Sequence, residues 1–123
     1  MSQATATRAR ASLPAAELGP GEMTGLVVGE VAVVVVRTTE GELRAYRDRC
    51  VHQGAPLSRG RLRAGTEGEE VGEYRLVEGQ GVIKCPWHGY EYDAASGCAL
   101  FDSRRRLRRV TVEELDGEIV VSV

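Results

Sequence analysis

The chain has 123 residues, 42% of them hydrophobic and 28% charged, the balance of one ordinary globular domain. Sixteen basic against eighteen acidic residues leave a net charge of -2, which gives no support to a nucleic-acid binder held by bulk charge. With three Cys and two His, a Cys₄ zinc site and any mechanism needing three histidines are excluded, and the odd, sparse Cys set argues against a disulfide scaffold.

Residues 1–12 are small, polar and aperiodic and read as a disordered tail. Arg8 and Arg10 are not followed by an apolar run, so the start lacks the pattern of a secretory signal. Residues 13–21, punctuated by Pro14, Gly19, Pro20 and Gly21, read as a loop leading into the domain. From Thr24 the pattern becomes strand-like. Runs at 25–28, 31–38 and 43–49, separated by Gly29-Glu30 and Glu40-Gly41, predict antiparallel hairpins. The run at 31–36 is β-branched except for Ala32, is far too short to span a membrane, and reads as a buried strand. Further on, runs at 107–112 and 118–123 flank Leu115-Asp116-Gly117, and Asp-Gly between two such runs is a strong hairpin signal. No window holds a helical period, so the expectation is an all-β domain. Residues 48–103, between the β-rich flanks, contain all three Cys and both His. That layout predicts a loop-built site on a β framework.

Two segments carry the chemistry. One is Cys50-Val51-His52-Gln53-Gly54-Ala55-Pro56-Leu57, the other Cys85-Pro86-Trp87-His88-Gly89-Tyr90-Glu91-Tyr92-Asp93. Each offers one thiolate and one imidazole, spaced C-x-H and then C-x-x-H. Gly54, Pro56, Pro86 and Gly89 supply the tight turns that such loops need. Four soft or borderline donors suit zinc or iron–sulfur chemistry. The usual zinc spacings pair like ligands, C-x₂₋₄-C with H-x₃₋₅-H, so the mixed pairs here fit zinc poorly.

These motifs, with Gly97 after the second loop and the β-rich flanks, resemble the Rieske iron–sulfur family over residues 13–123. The resemblance implies an antiparallel β sandwich with a smaller, loop-rich cluster-binding subdomain at about residues 48–103. It implies one [2Fe-2S] cluster, with Cys50 and Cys85 on the inner iron and His52 and His88 on the outer one. The stretch between His52 and Cys85 is longer than the family commonly has. The excess is placed at about 63–80, an extended insert carrying Glu67, Glu69, Glu70, Glu73 and Glu78. High-potential members carry an extra disulfide-forming Cys in each loop, where this chain has Ala55 and Trp87. They also carry a Ser donor to the cluster, where this chain has Tyr90. Fewer hydrogen bonds to the sulfurs stabilise the reduced cluster less, which predicts the low part of the range of about −150 to +300 mV.

Other residues carry plainer expectations. Cys98 reads as a buried packing thiol on a strand, Tyr92 as core, and Trp87 as a cover for the loop or part of a docking surface. The run Arg104, Arg105, Arg106, Arg108 and Arg109 reads as a solvated strand edge, with docking of an acidic partner the minority reading. It lacks the interleaved aromatics of a nucleic-acid surface. Terminal oxygenases of the family add a mononuclear iron on two further His and a carboxylate, and here both His are committed to the cluster. No G-x-G-x-x-G nucleotide fingerprint is present. The resemblance therefore implies a cytoplasmic Rieske-type ferredoxin, an electron carrier and not itself an enzyme, between a flavoprotein reductase and a terminal oxygenase. Nucleic acid, membrane and small organic substrates are not among its expected partners. The alternative is a small permanent subunit of a larger reductase such as nitrite reductase. A zinc-stabilised or metal-free binding module is the weakest reading.

Overall fold

Within the run at 31–36 the four valines at 33–36 are buried from both sides, and the fold is organised around them. Val33 and Val35 point into an apolar cluster with Leu18, Val28, Ala45, Ile119 and Val121. Val34 and Val36 point the opposite way, into a second cluster with Tyr46, Leu57, Ile83, Tyr92 and Ala94. Side chains alternate across a strand, so one covered on both faces must be apolar at every position.

In a computed structural model that describes residues 9–49, 56–63, 81–86, 90–102 and 104–123, almost all regular structure is extended. The strands are β1 (Arg10–Pro14), β2 (Glu22–Val28), β3 (Val31–Arg37), β4 (Leu43–Arg47), β5 (Arg61–Arg63), β6 (Val82–Lys84), β7 (Glu91–Asp93), β8 (Arg109–Leu115) and β9 (Glu118–Ser122). Six of them form one antiparallel sheet in the order β1-β9-β8-β4-β3-β2. Its edge strands β1 and β2 come back into contact, so the two layers of the expected sandwich are halves of a single sheet curled into a barrel-like shape. The other three form a small antiparallel sheet, β5-β6-β7. The first valine cluster fills the barrel, and the second lies between the barrel wall and the small sheet. The predicted hairpin at Asp116-Gly117 joins β8 to β9, with φ of 49° and 82°, the two left-handed residues that such a turn requires.

The chain departs from expectation in two places. Residues 10–12, expected to belong to the tail, are strand: β1 begins at Arg10, and Arg10 to Pro14 pair in register with Ser122 to Glu118. Ala11 and Leu13 face inward while Ser12 faces out, and the pairing comes from the open edge of β9. Pro14 ends this edge strand, a 3₁₀ turn follows at Ala15–Glu17, and Leu18 then enters the barrel core. The basic run is the second departure, since only Arg109 lies in a regular strand. Arg106 makes a single bridge with Cys98, and the Ala99 N–H donates to the Arg105 carbonyl, so residues 98–99 run antiparallel to 105–106 beside β7. Residues 1–8, which hold the rest of the expected tail, and 64–80, which hold most of the expected insert, lie outside the described residues. Among the described residues no helix is long and apolar enough to cross a membrane.

Candidate metal centre

Of the four ligands read from the sequence, Cys85 is described; Cys50, His52 and His88 lie outside the described residues, as do Ala55 and Trp87. Cys85 follows β6 directly and is 3% exposed, in the cluster that holds Leu57, Ile83 and Tyr92. Its neighbours Lys84 and Pro86 are exposed, so the sulfur sits where the core meets the surface. The Cys85 N–H donates to the Tyr90 carbonyl at 2.7 Å, which ties these two residues of the second motif together.

The base of the first motif is tied by a carboxylate. The Ser58 N–H donates to Asp48 Oδ1 at 2.7 Å, and the Ser58 hydroxyl donates to Oδ2 at 2.6 Å. Both carboxylate oxygens are thus used to join the two ends of residues 49–57. The Asp48 N–H donates in turn to the Ala32 carbonyl at 3.0 Å, fixing the staple to β3. Gly25 on β2 makes room for it, because a Cβ there would come 2.9 Å from the Ser58 hydroxyl oxygen. Leu57, fully buried, plugs the core beneath.

Gly60 brings the two motifs together. A Cβ on it would overlap the carbonyl oxygen of Lys84, the residue immediately before Cys85. The chain leaving the first motif therefore passes backbone against backbone along the start of the second, and Arg61 then pairs with Lys84. On the far side of the second loop the Tyr90 ring packs on Phe101 with centroids 4.6 Å apart, and Tyr92 meets Phe101 edge-on at 5.9 Å. Tyr92 is fully buried, as expected of a core residue. Cys98 is half-buried instead of buried, because a lone bridge to Arg106 holds it at the rim instead of within a strand.

A soft sulfur donor buried at the end of β6, close to the Asp48–Ser58 staple that brackets the first motif, fits the thiolate side of an iron–sulfur centre. Among the described residues no three His, Cys, Asp or Glu side chains cluster, three of the four candidate ligands being outside them. Sequence reasoning missed Asp48, Ser58, Gly60 and Phe101. An acid two residues before the first Cys and a Ser just after the buried Leu57 were the available signals for the staple.

A family model for the Rieske [2Fe-2S] domain matches residues 10–111, and the chain belongs to that family. Proteins with this domain carry one [2Fe-2S] cluster. Over 105 residues the chain is 32% identical to chlorophyllide a oxygenase of Chlamydomonas reinhardtii, covering 85% of this chain and 13% of that protein. The chain spans between 11% and 37% of the length of the curated relatives it matches. The ferredoxin of carbazole 1,9a-dioxygenase from Nocardioides aromaticivorans is 25% identical, with a TM-score of 0.69 over 94% of this chain and 97% of that one. A Mycobacterium tuberculosis protein described as an NADH-dependent nitrite reductase small subunit has the same fold, with a TM-score of 0.72 at 19% identity, over 95% and 96% of the two chains.

Proposed function

We propose that Cys50, His52, Cys85 and His88 hold one [2Fe-2S] cluster, and that the protein passes single electrons in the cytoplasm from a flavoprotein reductase to a terminal oxygenase. Bound there, the cluster supplies a centre that gains and loses one electron without bond rearrangement. The chain's own described residues form the base of the site. Asp48 and Ser58 are bonded to each other on either side of the first motif, Cys85 and Tyr90 are bonded within the second, and Leu57 and Tyr92 keep water from the buried side.

The observation that carries this reading is Cys85, buried at the end of β6 and bonded to Tyr90, in a chain that matches a dioxygenase ferredoxin over nearly its whole length. That ferredoxin system includes a structure described as a complex of reduced oxygenase and oxidised ferredoxin, which supports an oxygenase as the acceptor. With both His given to the cluster, the sequence has none left for a mononuclear oxygen-activating iron.

The test uses the purified protein with NADH and a flavoprotein ferredoxin reductase. Reduction should bleach the visible absorption by one electron per chain, without turnover of an organic substrate. Isolation only in fixed ratio with a large redox subunit would replace this reading with the permanent-subunit one.

A further inference from the structure

The chain carries a net charge of -2, yet the charged residues lining the cleft beside Cys85 are cations. On one flank Arg59, Arg61 and Lys84 line an open cleft with Gly60, Cys85 and Pro86. Arg61 and Lys84 stand directly opposite each other on β5 and β6, both exposed. Like charges in that position cost stability. None of the three cations has an ion pair among the described residues. The acidic neighbour on this flank is Glu91, opposite Lys84 on β7. Arg63, the last residue of β5, pairs with Val82, the first of β6, at the end of the small sheet away from Cys85.

The other flank is formed by Phe101, Asp102, Arg104 and Arg105, where the Ala99 N–H donates to the Arg105 carbonyl at 2.9 Å. Phe101, 43% exposed, rests on Tyr90 of the second loop. Asp102 accepts from the Arg104 N–H at 3.0 Å and Nε at 3.2 Å, and faces Arg105 Nε at 3.6 Å. One carboxylate holding two guanidinium groups orders them and leaves positive charge in excess. Aromatic and arginine side chains are the types that dominate binding at protein interfaces.

We infer that this basic collar, Arg59, Arg61 and Lys84 on one side and Phe101, Arg104 and Arg105 on the other, is the docking face for an acidic surface of a protein redox partner. The inference rests on the carrier reading and adds the partner's charge and the residues that meet it. Opposite charge around an electron port steers encounter and fixes orientation, and salt weakens both.

The test titrates the isotope-labelled holoprotein with hexacyanochromate(III), a redox-inert paramagnetic trianion standing in for the partner's carboxylates. Tris(ethylenediamine)chromium(III) serves as the matched cation. Line broadening by the anion should centre on the amides of Arg59, Arg61, Arg104 and Arg105, with those signals left sharp by the cation. In about 1 M salt, where the screening length falls to about 3 Å, the broadening should collapse. The double substitution Arg61→Glu with Lys84→Glu should weaken it several-fold while iron content stays unchanged. Broadening centred on Arg10, Arg47 or Arg108, or equal broadening by anion and cation, would overturn the collar. A protein without an iron–sulfur spectrum would sink the carrier reading instead, so the two failures are distinguishable.

Discussion

The Tyr46 hydroxyl donates a 2.7 Å hydrogen bond to the carbonyl of Ala94, from the large sheet to the turn that follows the small one. Tyr46 is fully buried, so its phenol would be unsatisfied without this acceptor. The same turn is gripped twice more from β4. Arg44 Nε donates to the Ala95 carbonyl at 2.8 Å, and Gly97 lies flat against the Tyr46 ring. The small sheet that ends at Cys85 is therefore held to the barrel at a fixed angle.

Replacing Tyr46 with Phe should destabilise the protein by about 1–3 kcal/mol, because the Ala94 carbonyl loses its donor. Burial pushes the Tyr46 phenol up from 10.0 to about 12, outweighing the nearby Arg109 and Arg44. Folding thus favours the protonated form. The stabilisation is fully present below pH 10.0 and is lost as pH rises toward about 12, amounting to about 2–3 kcal/mol. Urea unfolding of both proteins from pH 8 to 12, values chosen to bracket that window, should show a steeper alkaline loss in the parent than in Tyr46→Phe.

Gly97→Ala should be worse than a glycine change in an open turn. Its φ of 79° is left-handed, and a Cβ would come 2.7 Å from Tyr46 Cε1 on a side chain with no room to retreat. The expected cost is about 2–4 kcal/mol, seen as a lower melting temperature. The control Gly41→Ala shares the left-handed φ, at 91°, but meets nothing within 4 Å, and should cost about 1 kcal/mol.

Asp48→Ala removes both acceptors that hold Ser58. Far-ultraviolet dichroism should stay close to that of the parent, since the barrel strands do not depend on the staple. Iron per chain should fall and bleaching by chelator should quicken, as the first loop loses its anchor. Asp48→Asn keeps one acceptor for the Ser58 N–H and should retain more iron than the Ala variant.

The architecture was legible where local chemistry alone decides it. The valines at 33–36 announced a strand covered on both faces, and Asp116-Gly117 announced its hairpin. Arg10 to Ser12 were not legible, because their pairing depends on the open edge of β9 more than on their own side chains. The arginine run looked like a strand, but the Asp102 carboxylate accepts from the Arg104 N–H and bends the chain there. At the site, the spacing of Cys and His is a local property and could be read directly. The Asp48–Ser58 staple and the close approach of Gly60 to Lys84 are tertiary contacts that no single window contains.

The reduction potential should lie in the low part of the range of about −150 to +300 mV for such centres. Tyr90 stands where high-potential members have a Ser donor, and its ring packs on Phe101. Ala55 and Trp87 cannot form a disulfide across the loops. Electrochemical titration of the purified protein should give a midpoint below about 100 mV, and a value well above that would mean that other donors stabilise the reduced cluster.

The central claim, that Cys50, His52, Cys85 and His88 together bind one [2Fe-2S] cluster, is tested most directly by metal and sulfide analysis of the purified protein with its visible spectrum. The account predicts a brown protein with two iron and two sulfide per chain, the content of the family's cluster, and loss of both in Cys85→Ser but not in Cys98→Ser. A colourless protein holding one zinc per chain, or an iron–sulfur spectrum that survives Cys85→Ser, would contradict it.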